Sequence, residues 1–127
     1  MSFYKHNFFM SILEQATNIF KKSNREQCCV FHLQNDPFQI HSQTIAEGSF
    51  CQLKLNFEKI STAILDIHPI GIVLAHSHPA GNCQPSTNDR LATQQLGLIC
   101  RSLNICLFDH LIFATDGFYS FRQSGLM

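Results

Sequence analysis

The segment Ile70-Gly71-Ile72-Val73-Leu74-Ala75 narrows the fold more than any other part of this chain. It is strand length, carries no polar side chain and shows no alternation, the pattern of a central strand buried on both faces of a sheet. Neighbouring segments read as the layers such a strand needs. Phe9, Ile12, Leu13, Ala16, Ile19 and Phe20 recur at spacings of three and four, on one face of a helix that Ser23-Asn24 ends. Cys28 to Leu33 reads as a strand, Asn35-Asp36-Pro37 as a turn and Phe38 to Ala46 as the returning strand, with another turn at Gly48-Ser49. Phe57, Ile60, Ile64 and Ile67 mark a second helix, capped by Asn56 and stopped by Pro69. After a loop from His76 to Pro85, a third helix is expected from Ser86 to about Leu103. Strands over Ile105–Ala114 and Phe118–Arg122 then flank an Asp116-Gly117 turn. This order predicts an α/β or α+β sandwich built on one mixed sheet.

The 127 residues suit a single domain spanning 1–127. A chain of that length buries roughly two-thirds of its unfolded surface. Hydrophobic residues make up 45% and Phe alone numbers 12, which excludes intrinsic disorder. Nine Lys+Arg balance nine Asp+Glu, and the one basic cluster, Lys21, Lys22 and Arg25, is small. Direct nucleic-acid or anionic-membrane binding therefore lacks its electrostatic footing. Few charges beside so many Phe point to apolar surface that a partner covers. No stretch reaches the roughly 18 apolar residues of a membrane span, and the opening MSFYKHNFFM lacks a signal peptide's apolar run. The six cysteines have neither CxxC spacing nor a disulfide framework, which indicates a reducing, cytoplasmic compartment.

The chemistry is concentrated in one string, from His76-Ser77-His78-Pro79 through Ser86 to Asp89. Two histidines at i and i+2 beyond the buried strand can aim imidazoles at one point. An Asp completes three zinc ligands and leaves a fourth position for water. Such an open site lowers the pKa of that water and polarises a carbonyl. Each part also has a plainer reading. An HxH pair alone is common, and Ser86-x-x-Asp89 after Pro85 is the pattern of a capping box. Ser86 can serve both purposes. For Asp89 the two readings compete.

Taken whole, His76-Ser77-His78, seven further residues, Ser86, two more and Asp89 match the motif H-[ST]-H-x7-S-x2-D of the JAMM (MPN+) metalloproteases. Over Arg25 to Met127 the chain resembles the bacterial RadC family of JAMM-domain proteins. The resemblance runs through Gly48-Ser49, the apolar strand leading into His76, the turns at Pro79-Ala80-Gly81 and Gln84-Pro85-Ser86, Leu107-Phe108-Asp109-His110, and Tyr119-Ser120-Phe121-Arg122. It implies a JAMM/MPN-like (cytidine-deaminase-like) fold, a mixed β-sheet sandwiched by helices. It also implies a catalytic-type domain standing without the helix-hairpin-helix domain of longer family members.

By the same resemblance, His76, His78 and Asp89 ligate Zn2+, Ser86 hydrogen-bonds the water or the oxyanion, and Glu26 is the general acid/base. Glu26 stands where the family's Glu stands, between the first helix and the first strand. Glu14 lies inside a helix, Glu47 in a turn after the second strand, and Glu58 at a helix start. Without the resemblance Glu26 reads as an exposed loop acid. His110 reads as a core histidine with a hydrogen-bond partner, or as a residue supporting a ligand. Cys83 reads as tolerated within its loop, and His6, His32, His41 and His68 show no ligand spacing. Ser77 stands where other members commonly carry Asn, and Asn56-Phe57-Glu58-Lys59 where they carry His-Pro-Arg-Glu, so substrate-facing surfaces differ.

The implied activity is zinc-dependent hydrolysis of a peptide or isopeptide bond in a protein or peptide substrate. Competing readings are a non-catalytic metal-binding interaction module and a DNA-repair-associated accessory protein. The complete Glu, His, His, Ser and Asp set counts against a metal-free scaffold, and neutral charge counts against direct DNA binding. A zinc nucleobase deaminase is excluded, because H-x-E with P-C-x-x-C is absent. The sequence carries no sign of oligomeric state.

Overall fold

The computed structural model describes residues 8–35, 37–48, 55–79 and 81–127. In chain order the elements are α1 (Phe9–Phe20), β1 (Glu26–Asn35), β2 (Phe38–Gly48), α2 (Phe57–Ile67), β3 (Gly71–His78), α3 (Thr87–Ser102), β4 (Cys106–Ala114) and β5 (Gly117–Ser120). The strands form one mixed sheet in the order β2-β1-β3-β4-β5, parallel only at β3·β4. The apolar run takes the centre.

Strand alternation divides the core into two layers. Cys29, Phe31 and Leu33 of β1 and Val73 and Ala75 of β3 pack against Ile12, Ala16 and Phe20, one stripe of α1. On the other face Cys28, Val30, Ile72 and Leu74 meet Ile60 and Ile64 of α2 and Leu96 and Cys100 of α3. Each fully buried Leu, Ile or Phe contributes about 1.5–3 kcal/mol, so both layers hold the sheet. α2 begins and ends as expected. Asn56 Oδ1 accepts from Lys59 N at 3.0 Å, and His68 closes the helix in the left-handed conformation, φ 55°, before Pro69.

Several boundaries correct the sequence reading: β1 begins at Glu26 and not Cys28, so Glu26 is a strand residue and not a loop acid, β5 ends at Ser120 and not Arg122, and β3 and β2 run longer than expected. β3 continues through His76-Ser77-His78, where a loop was expected, because Ile112, Phe113 and Ala114 of β4 pair with them in parallel. The strand's period of two then sends His76 and His78 toward α3 with Leu74, and Ser77 toward α1. Ser77 Oγ accepts from Gln27 N at 3.0 Å, which closes the β1·β3 seam at this end. β2 likewise runs on to Gly48, so Glu47 lies in a strand and not in a turn. Ser49, Asp36, Ala80 and His6, which figure in the sequence reading, and Cys51, one of the six cysteines, lie outside the described residues.

A bulge sets which face β4 offers the site. Leu107 stands opposite Ile72 and Asp109 opposite Val73, leaving Phe108 as an extra residue. The slip turns His110 to the face of Leu74 and His76 instead of the α1 face. Gly71 makes room for it. A Cβ at Gly71 would run into the Phe108 ring and stand 2.7 Å from the Cys106 carbonyl oxygen. The described cysteines Cys28, Cys29, Cys83, Cys100 and Cys106 are free. No described helix is long and apolar enough to cross a membrane.

Candidate metal centre

Four side chains from three elements meet at the C-terminal end of β3. Cys28 pairs with His76 across the β1·β3 seam, so Glu26, two residues before Cys28, shares the face of His76 and His78. Asp89 arrives from the first turn of α3. His76 turns one nitrogen to each carboxylate: Nε2 lies 3.0 Å from Glu26 Oε2, and Nδ1 lies 3.6 Å from Asp89 Oδ1. His78 Nε2 lies 3.4 Å from Asp89 Oδ2. The two imidazoles stand edge to face, with centroids 4.6 Å apart.

Asp89 caps the helix and still faces both histidines. Its Oδ2 accepts from Ser86 N at 2.8 Å while Ser86 Oγ accepts from Asp89 N at 3.0 Å, a complete capping box. A carboxylate has about four lone-pair sites, so the cap leaves acceptor capacity facing the histidines. Burial alone would raise the Asp89 carboxyl. The hydrogen bond to His78, the charge of His76 and the Ser86 N–H outweigh it and hold the pKa down at about 2. The same contact with Asp89 raises His78 against the lowering effect of burial. His78 Nδ1 donates to the Asn82 carbonyl oxygen at 2.8 Å, so Nε2 is the nitrogen that could ligate a metal once the ring is neutral.

His76 provides the test of metal fit. Its Nδ1 is buried and has no hydrogen-bond partner, since 3.6 Å is beyond hydrogen-bond length. Donors at about 2.0–2.1 Å from a tetrahedral zinc stand roughly 3.4 Å apart. The histidine-to-Asp89 separations, 3.6 Å to Oδ1 and 3.4 Å to Oδ2, fall near that edge length but end on different oxygens. Two imidazoles and a carboxylate are a zinc donor set, so these residue types suit the ion. Among the described residues, the group whose donor atoms, one from each residue, all lie within 4.8 Å of one another is Glu26, His76 and His78. Exposure separates the two carboxylates. The side chains of His76 and Asp89 are 1% and 3% exposed, those of His78 and Glu26 18% and 20%. The cluster is closed at Asp89 and open at Glu26.

His110 meets its core-histidine reading and adds a support. Phe121 stacks on it at 4.4 Å, and its Nδ1 lies 2.6 Å from Thr93 Oγ1. Thr93 spends its proton on the Asp89 carbonyl oxygen at 2.8 Å, so His110 Nδ1 is the donor to Thr93. Burial first, then the neighbouring His76, push the His110 pKa down to about 3. Its ring lies 5.7 Å from that of His76, behind the helix turn that presents Asp89. Thr93, which joins His110 to that turn, carries no spacing signal in the sequence. Neighbouring Asp109 is spent on structure: Oδ2 accepts from Ser120 Oγ, and Oδ1 accepts from the backbone N of His110 and Arg122. Cys28 shares the site face, but burial, helped by Cys29, pushes its thiol well up and keeps it protonated. His32 pairs with Gln43 and His41 with Gln34, outside the cluster.

Residues 7–126 match the sequence profile of the family described as RadC-like JAB domain. Two proteins named UPF0758 protein, from Actinobacillus pleuropneumoniae serotype 5b (strain L20) and serotype 3 (strain JL03), are each 29% identical to this chain over 103 residues. The match covers 81% of this chain and 47% of each relative, so the chain spans about half the length of these curated relatives.

Proposed function

The chain belongs to the RadC-like JAB domain family, and from that premise we propose that it is a zinc-dependent hydrolase of peptide or isopeptide bonds. The observation that carries this reading is the division of labour between the two carboxylates. Asp89 is buried, capped and drawn to both histidines, whereas Glu26 stands at the open side with its Oε2 at 3.0 Å from His76. His76, His78 and Asp89 would hold the zinc. When bound there, it would supply Lewis acidity, polarising a substrate carbonyl and making a water acidic enough to attack at neutral pH.

The rest of the chemistry falls to this chain's own side chains. Once its carboxylate turns from His76 Nε2 to the attacking water, Glu26 takes the proton of that water and returns it to the leaving nitrogen, so one carboxylate serves as base and then as acid. The Ser86 hydroxyl accepts from Asp89 N, and its own proton has no acceptor among the described residues. That proton is free to be donated to the oxygen on which charge develops. His78 keeps its orientation through Asn82, and Asp89 through Ser86. The substrate is a protein or peptide.

The test is to incubate zinc-loaded protein with a defined peptide library and count new amino termini by mass spectrometry. Wild type should generate them, and Glu26→Gln should lower the rate by about 10²–10⁴-fold. A second reading, a structural metal module, draws on the grouping of Glu26 with the two histidines. If Glu26 ligates, no base remains and no library peptide is cut.

A further inference from the structure

Three of the chain's four arginines, Arg90, Arg101 and Arg122, line one cavity of about 670 Å³ between α3, β4 and the segment that follows β5. The cavity does not open on His76, His78 or Glu26. Arg90 and Arg101 are eleven residues apart on α3, three turns along one face, about 16 Å along the axis. Arg122 reaches across from the opposite wall. Its Nε and Nη2 donate to the Phe108 and Leu107 carbonyl oxygens, which fixes the guanidinium without neutralising it. No Asp or Glu among the described residues lines the cavity. Among the described residues none of the three arginines forms a contact ion pair with a carboxylate, although the Arg122 charge acts at longer range on Asp109. In a chain with zero net charge, that concentration of unpaired guanidinium is local.

A second, independent feature keeps the cavity open. Gly97 sits mid-helix in its lining, between Arg90 and Arg101. A Cβ there would meet only the end of Leu107, at 4.0 Å, so packing does not demand glycine. A helix interior normally disfavours it. The missing side chain leaves the floor accessible, and beside it Leu98 is 60% exposed while Leu126 and Met127 are 38% exposed.

We propose that this cavity binds an acidic, Leu- or Ile-bearing peptide segment of a partner protein. Guanidinium forks pair bidentately with carboxylates, and exposed aliphatic side chains at the rim take the partner's apolar residues. The charge complementarity selects an acidic occupant. A nucleic acid fits less well, because the cavity's one aromatic ring, Phe121, is 1% exposed and offers no stacking face. About five extended residues would span the distance between Arg90 and Arg101.

A displayed library of random twelve-residue peptides, selected on the wild-type protein, tests this. An Arg90→Glu/Arg101→Glu variant serves for counter-selection. Both positions are exposed, and circular dichroism checks the fold. Selected sequences should be enriched in Glu or Asp with Leu or Ile, and a labelled representative should bind the variant at least tenfold more weakly. Gly97→Leu, which fills the floor while favouring the helix, should weaken the same peptide without loss of thermal stability. A fluorescent single-stranded oligonucleotide is titrated in parallel. No enrichment, enrichment without acidic bias, or peptide binding indifferent to both variants would overturn the proposal. So would an oligonucleotide that binds more tightly than the selected peptides.

Discussion

Ser86 and Asp89 hold each other reciprocally, Ser86 N to Asp89 Oδ2 at 2.8 Å and Asp89 N to Ser86 Oγ at 3.0 Å, at the point where α3 starts. The helix cap therefore orients the carboxylate proposed to bind the metal. Losing the cap should be felt in stability and in zinc affinity together.

Ser86→Ala removes the acceptor for Asp89 N and should cost about 1 kcal/mol of stability, the usual scale for a lost N-cap. Urea denaturation of the metal-free protein measures this. Zinc titration of the same variant should show weaker binding, because Asp89 is then held from one side only. Unchanged stability and affinity would mean that the box is decorative.

Two glycines should respond oppositely to the same substitution. Gly97→Ala should stabilise the protein by about 0.5–1 kcal/mol, since the added Cβ meets nothing closer than 4.0 Å and the helix gains a better former. Gly71→Ala should destabilise by about 1–3 kcal/mol, because Phe108 and the Cys106 carbonyl leave its Cβ no room. Melting temperatures of the pair decide it, and the same sign in both would refute the packing account of the β4 bulge.

His32 gives a pH dependence outside the metal centre. Burial lowers its pKa below the ordinary value, against the raising effect of its bond to Gln43. The unfolded chain therefore binds a proton near pH 6.5 that the folded chain refuses. Stability should fall as the pH drops below about 6.5, until the folded form also titrates. Urea midpoints at pH 7.5 and 5.5 should differ more for the wild type than for His32→Phe. Equal differences would remove His32 from the account.

Asp109→Asn replaces an acceptor of three hydrogen bonds with a group that also brings donors. One of its partners, the Ser120 hydroxyl or a backbone N–H, is then faced by an amide N–H, and about 1–3 kcal/mol should be lost. Hydrogen exchange should localise the loosening to β5 and Arg122. A loss spread evenly over the sheet would point to another cause.

What could be read in advance follows from how local each signal is. The stripe of α1, the Asn56 cap and the Ser86-x-x-Asp89 box depend on residues within one or two turns, and their spacing states them directly. The histidine pair and Asp89 were legible as a motif. Their common face was not, because it depends on β3 continuing through His78, and that extension comes from pairing with β4, thirty-six residues onward at Ala114. His110 reaches the site only through the bulge at Phe108, and a one-residue slip leaves no trace in periodicity. The arginine cavity joins α3 to the segment after β5, so no window of sequence contains it.

The central claim is that Asp89 holds the metal and Glu26 works beside it. Zinc content per chain, measured by elemental mass spectrometry after dialysis, tests this most directly on Asp89→Asn and Glu26→Gln. The account expects about one zinc per chain in wild type and in Glu26→Gln, as three ligands suffice for an open site. Asp89→Asn should bind almost none while circular dichroism shows the fold intact. If instead Glu26→Gln lost its zinc and Asp89→Asn kept it, Glu26 would be the ligand and the hydrolase reading would fail.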